Sequence, residues 1–285
     1  MKKVLFFLSV VLLVAGCRKK EGIAPVHVHV NDFTITQQDY PAKGDPVANY
    51  AGVKAITLAF YASEGTQEYC STQLRDDAST YTVFGEFACS LPMGSYTMVV
   101  YGYGFADGDS FVLNSLTEGV FTSAHVRETF VASQEVNVEN TSTITVNATM
   151  DRVVAKLMLK STDVRPSNID SLRFTIGHGG KGVNPLTGLA TTNTGFVNTV
   201  RGNVVAGQPT TGTTYLFLGN DELTTSVTID AIDSDNEVVF HKEVTNVPLQ
   251  RNKITMMTGE MFTAGAEGSF LINTGYISDT TFVPF

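Results

Sequence analysis

Two histidines, His27 and His29, stand two positions apart in Val26-His27-Val28-His29-Val30. On a strand both side chains leave the same face, which is how a metal site can be seeded. Such a site needs further ligands with support behind them, and none is adjacent, so we read the pair as the solvent side of a strand. Gly177-His178-Gly179-Gly180-Lys181-Gly182 has the glycine density of a phosphate loop. That loop requires Gly-Lys followed by Ser or Thr at a helix start, whereas here Gly182 and then Asn184-Pro185 follow. Asp233, Asp235 and Glu237 alternate like a calcium loop, yet its sixth-position glycine and closing glutamate are missing, so a polar hairpin tip is expected. There is no nucleophile-elbow serine motif and no His-Glu-x-x-His. The acidic residues fall mostly at turns, where aspartate bonds its own backbone. The expectation is a protein that is not an enzyme and uses no cofactor and no metal.

The cysteines carry more information. Met1-Lys2-Lys3 is a basic start, Val4 to Gly16 is an apolar run broken only by Ser9, and small residues precede Cys17. This is the make-up of a secretory signal, too short to remain as a membrane-spanning helix. Val14-Ala15-Gly16-Cys17 resembles the lipobox of bacterial lipoproteins. The resemblance implies that residues 1–16 are a removed signal peptide, that Cys17 is the lipidation site, and that acyl chains, palmitate among them, hold the protein to a membrane. Each buried CH2 contributes roughly 0.8 kcal/mol, so two or three chains anchor a soluble domain stably. Cys70 and Cys89 are then an even pair in an oxidising compartment. A disulfide between them would close a loop of nineteen positions and contribute roughly 3 kcal/mol in the chain-entropy model. The competing reading is two free thiols, because Cys89 alternates with Phe87 and Leu91 on a core face.

These residues need elements to hold them. The chain has 285 residues, 43% hydrophobic and 16% charged, with a formal net charge of -9. Lys2 and Lys3 are the signal's charges, so the chain after it is still more acidic. That excludes a disordered chain and makes nucleic acid an unexpected partner. Residues 17–25 read as a tether, and Val26 to Val30 with Phe33 and Ile35 as a first strand. Residues 37–51 read as a loop, and Val53 to Ala62 as a second strand with Ile56, Leu58 and Phe60 on one face. Thr80 to Leu91 and Ser95 to Tyr103 form a hairpin about Pro92-Met93-Gly94. Thr129 to Val138 and Thr141 to Thr149 are further strands. Near Met150 the pattern restarts with Asp151 to Lys160 and Ile169 to Ile176, then a long loop over 177–203. Strands follow at Thr214 to Leu218, Ser226 to Ile232, Glu237 to Val244 and Arg251 to Phe262. No stretch carries a helical apolar stripe. The fold class expected is all-β, with two tandem β-sandwich domains over 26–149 and 150–285.

Three segments resemble the fimbrillin and fimbrial anchor-subunit families of Gram-negative anaerobes, which build type V pili. They are the lipobox followed by an early strand, the hairpin Leu91-Pro92-Met93-Gly94-Ser95-Tyr96, and Arg251-Asn252-Lys253-Ile254-Thr255 with Gly259 and Phe262. Asp151-Arg152-Val153-Val154-Ala155-Lys156 is similar to the strand that opens the second domain there. The resemblance implies transthyretin-like sandwiches and an outer-membrane lipoprotein at the cell surface. It implies a fimbrial (pilus) anchor or accessory subunit with a role in cell adhesion. Its partners would be other fimbrial subunits, joined by strand exchange, with 268–285 as a donor-strand tail. In that family a protease, usually Arg-specific, removes the lipidated first strand of polymerising pilins. The loop 37–51 holds no arginine and only Lys43 as a basic site, which favours an uncut anchor. A non-fimbrial surface lipoprotein that binds glycans is the other function class, and neither reading names a host or bacterial receptor.

Overall fold

The computed structural model describes residues 22–34, 50–123, 125–201, 207–263 and 270–274. Cys17, Lys43 and residues 275–285 of the tail lie outside these. Among the described residues nine strands precede residue 153: β1 (Ile23–Thr34), β2 (Ala55–Ala62), β3 (Gln67–Leu74), β4 (Glu86–Pro92), β5 (Gly94–Tyr103), β6 (Phe111–Ser115), β7 (Glu118–Phe121), β8 (Thr129–Val138) and β9 (Ile144–Arg152). Ten follow: β10 (Val154–Ser161), β11 (Ile169–Ile176), β12 (Gly182–Asn184), β13 (Leu189–Ala190), β14 (Phe196–Val200), β15 (Thr211–Phe217), β16 (Glu222–Asp233), β17 (Val238–Gln250), β18 (Ile254–Gly259) and β19 (Leu271–Asn273). One 3-10 turn, Ala78–Thr80, is the helical element among the described residues.

Seven strands form one sheet in the order β3-β2-β5-β8-β9-β1-β4. Its strands β8 and β9 pair only at Phe130↔Arg152 and Val131↔Asp151. The sheet folds over at that corner, so that β3-β2-β5-β8 lies against β9-β1-β4. Alternate side chains of both layers meet between them: Ile56, Leu58, Phe60, Met98 and Val100 from one, Val26, Val28, Phe87, Val146 and Met150 from the other. The opposite faces of β2 and β5 are buried too, through Ala55, Ala59, Val99, Tyr101 and Tyr103. β2, with Ile56, Leu58 and Phe60 on one face as expected from the sequence, is therefore buried on both faces, which is why it reads as a nearly unbroken apolar run.

After residue 153 two four-stranded sheets, β15-β10-β18-β19 and β14-β11-β16-β17, enclose Leu157, Leu159, Leu172, Phe174, Val227 and Ile229. Here β10 runs parallel to β18, as β1 runs parallel to β9. A fourth sheet, β13-β12-β7-β6, takes two strands from each side of residue 153, with Gly182↔Val120 and Val183↔Gly119 in register. Gly119 is required there, since a Cβ would sit 2.6 Å from Phe111 and 2.8 Å from Tyr101. Phe121 stacks on Phe217 at 6.3 Å between centroids beside this sheet.

Two turn readings hold in detail. Tyr96 donates its hydroxyl to the Pro92 carbonyl at 2.8 Å across the β4–β5 turn. The Asp233 carboxylate accepts the backbone N–H groups of Asp235 (3.0 Å) and Glu237 (2.9 Å), so the acidic tip serves its own turn. The expected strand from Thr80 is shorter: the chain passes through the 3-10 turn and a coil before β4 begins at Glu86. The glycine stretch 177–182 is a crossing point. Gly180 exchanges backbone hydrogen bonds with Phe217 (3.1 and 3.2 Å), and the Lys181 ammonium donates to the Ser123 carbonyl at 3.0 Å.

Candidate functional site: the first strand and the buried junction beside it

The alternation Val-His-Val-His-Val decides how β1 sits. Ala24, Val26, Val28 and Val30 point into the sandwich and are buried, while His27 and His29 stay on the outer face. β1 is flanked on both sides. It pairs antiparallel with β4 from Ile23↔Pro92 to His29↔Glu86, and parallel with β9 from Val26↔Ile144 to Thr34↔Asp151. Its ends are tied as well: Met93 N donates to Gly22 O at 3.0 Å and Val30 N to Gly85 O at 2.9 Å. On the outer face Asn31 bonds Asn147 at 3.0 Å, and His29 Nδ1 lies 3.5 Å from Glu86 Oε1. Burying the three valines contributes roughly 1.5 to 3 kcal/mol each. Removing β1 would take from β4 its one strand partner among the described residues and open one edge of β9, over a groove floored by Leu58, Phe60, Met98 and Val100.

The chain re-enters the described structure at Tyr50, which is held on all sides. Arg75 donates to the Tyr50 carbonyl at 3.0 Å and to the Val53 carbonyl at 2.7 Å, and its guanidinium lies 4.1 Å from the Phe84 ring centroid. The Tyr50 ring meets Phe130 edge-on at 5.7 Å, and its hydroxyl donates to Glu128 Oε2 at 2.5 Å. Glu128 in turn receives Arg152 Nη1 at 3.3 Å. Arg152, 1% exposed, also donates from Nε to Asn252 Oδ1 at 2.8 Å and from Nη2 to the Asn252 carbonyl at 2.9 Å. Burial raises the Glu128 carboxyl above its ordinary range even though Tyr50 and Arg152 both pull it down. Burial first, and the Glu128 charge second, push the Tyr50 phenol far up.

The junction joins two of the motifs singled out in the sequence. Arg152 belongs to Asp151-to-Lys156 and Asn252 to Arg251-to-Thr255, and they meet across a separation of 100 residues. Asn252 adopts φ 59°, which points its carbonyl and its side chain at one guanidinium. Arg251 pairs with Asp221 at 2.8 Å, and Thr255 donates to the Pro248 carbonyl at 2.6 Å. The sequence marks Asp151 to Lys160 as a strand but does not mark Arg152 as buried. The signal that could have marked it is the pairing of an arginine at one strand end with an Arg-Asn turn before the last long strand.

Cys70 and Cys89 are free thiols, the first exposed, the second half-buried against the core between the layers. Burial pushes Cys89 up to about 11 and raises Cys70 less. The start of the tail is docked rather than free: Leu271, Ile272 and Asn273 pair with Thr258, Met257 and Met256 at the edge of their sheet, and Phe270 is buried in the larger core.

These features define a class: an all-β sandwich protein with its first strand clamped between two others. The chain belongs to a family of unknown function, DUF6562, whose model matches residues 54–283. Among solved structures it resembles a protein of Bacteroides ovatus assigned as an adhesin, at 12% identity and a TM-score of 0.52 over 87% of this chain and 96% of that one. It also resembles a Bacteroides thetaiotaomicron protein (DUF1812) assigned to polysaccharide binding, at 12% identity and a TM-score of 0.51 over 83% and 91%. The fimbrial anchor protein Mfa2 of Porphyromonas gingivalis aligns over 88% of this chain and 95% of its own, at 9% identity and a TM-score of 0.47. No curated protein sequence matches the chain. At 12% identity, what the two Bacteroides proteins share with this chain is the fold.

Proposed function

We propose that this chain is a non-enzymatic, membrane-anchored fimbrial anchor or accessory subunit with a role in cell adhesion. It is held to the outer membrane through acylated Cys17, displayed at the cell surface, and joined to other subunits by strand donation. The observation that carries the reading is the seat of β1, buried between β4 and β9, followed by a stretch with no arginine before Arg75. An uncut first strand keeps its own groove filled and its lipid attached. A subunit fixed at the base of a fibre needs both. In this reading the chain is two tandem sandwiches, 26–149 and 150–285, supported by the parallel strand pair on each side of residue 153. In the tail 268–285, the part that follows β19 is the segment that reaches a neighbour by adding a strand to its sheet.

Cys17→Ser tests the anchor. The variant should leave the membrane fraction or stall unprocessed, and cells should shed or lose thin filaments under the electron microscope. Unchanged attachment and processing would sink the reading. Intact filaments after deletion of the gene, with polysaccharide binding lost, would favour the glycan-binding alternative.

A further inference from the structure

The two edges of the seven-stranded sheet, β3 and β4, approach each other at one end. Gln73 joins them there: its Nε2 donates to the Glu86 carbonyl at 2.7 Å, and its Oε1 accepts Gly85 N at 2.9 Å. Beyond this bridge β3 is paired only with β2, and β4 only with β1, among the described residues. Backbone donors and acceptors therefore face the gap unpaired. A groove of about 320 Å³ opens here, within the size range of small-molecule sites. His27, His29, Ser71, Thr82 and Glu86 contribute polar groups to it, and Tyr81 contributes a ring.

The walls are fixed before any ligand arrives. The Tyr81 hydroxyl bonds the carbonyls of Leu74 (3.1 Å) and Arg75 (2.8 Å), and its ring packs on Phe84 at 5.6 Å. The turn beneath it is capped by Asp77, which accepts both the backbone N–H and the hydroxyl of Ser79. An immobile aromatic face beside hydrogen-bonding side chains lowers the ordering cost of binding.

We propose that this groove is a binding subsite for a neutral saccharide. Its lining mixes donors and acceptors, as a polyol requires, and one carboxylate, Glu86, can accept from two neighbouring sugar hydroxyls. Among the described residues no lysine or arginine lines it, so these walls offer an anionic ligand no ammonium or guanidinium. The density of hydroxyl and imidazole groups disfavours an apolar side chain. The subsite stands apart from the fimbrial reading, because neither the lipid nor the filament assay touches these residues.

The test uses the chain from residue 18 onward. Its imidazole resonances are followed while galactose, mannose, glucose, N-acetylglucosamine, maltotetraose and cellotetraose are each titrated. At least one sugar should shift His27 and His29 saturably, with a Kd of about 1 mM or tighter. Ala88→Trp puts a bulky ring into the groove from an exposed position of β4. It should weaken that binding by about tenfold or more while leaving the melting temperature unchanged. His27→Ala should weaken it with the fold intact. Absence of saturable shifts with all six sugars, or binding indifferent to Ala88→Trp, overturns the proposal. So does a response of these imidazoles confined to added Zn2+, which would mark a His-x-His metal site instead.

Discussion

Replacing Arg152 by Met keeps most of the side-chain volume and removes the charge at the junction. Glu128 then stays 6% exposed without the Arg152 guanidinium, and the Asn252 oxygens lose the two bonds that Arg152 donates. Breaking a buried pair from one side costs about 3 to 5 kcal/mol, a large share of the ~5 to 15 kcal/mol that holds a typical protein folded. Burial already raises the Glu128 carboxyl, and Arg152 is among the groups holding it down, so the variant's carboxyl rises further. A carboxyl whose folded pKa lies above its unfolded one gives stability that is complete below the unfolded value and is lost as pH rises through the folded value. The deficit of Arg152→Met should therefore be largest at pH 8 and shrink toward pH 5. Urea unfolding of the chain from residue 18, followed by far-ultraviolet circular dichroism, reads both quantities. Adding Glu128→Gln removes the stranded charge and should restore about 1 to 3 kcal/mol as coupling. A single variant within about 1 kcal/mol of the parent would refute the junction as a stabilising network. An equal deficit at the two pH values would refute its electrostatic origin.

Other outcomes follow from the same geometry. Asn252→Gly keeps the left-handed backbone and loses the acceptor that faces the buried Arg152 guanidinium, costing about 1.5 to 3 kcal/mol. Asn252→Ala adds about 1 to 2 kcal/mol of strain, so thermal melts should rank parent, Gly, Ala. With its thiol pushed up to about 11, Cys89 should react with iodoacetamide at pH 8 roughly a hundredfold more slowly in the folded chain than in urea, since each pKa unit is tenfold in thiolate. Counting thiols in urea with Ellman's reagent, on protein taken from cells, should give two for Cys70 and Cys89; a count of none would mean that the pair is bridged.

Much of the fold was legible because it rests on local alternation. The valines of β1, the Pro92-Met93-Gly94 hairpin and the Asp233 tip each declare themselves within a few residues. The strands missed by sequence reasoning have their reasons elsewhere in the chain. β3, Gln-Glu-Tyr-Cys-Ser-Thr-Gln-Leu, is a mostly exposed edge strand with little apolar signal. β12 to β14 lie in what reads as one long loop, because β12 is held by β7, some sixty residues earlier. Arg152 and Glu128 were invisible as a pair, since their shared burial depends on a turn 100 residues further on. The groove between β3 and β4 was equally hidden, because His27 and His29 gain their neighbours only when the two edges of the sheet approach.

The central claim is that β1 stays in place and tethered, and the mature N-terminus of the protein from native membranes tests it most directly. Mass spectrometry of the intact protein should find an acylated Cys17 on a chain that runs unbroken through residues 37–51. A mature N-terminus within 37–51 would mean that β1 is removed and its groove opened, and would contradict the assignment as an anchor.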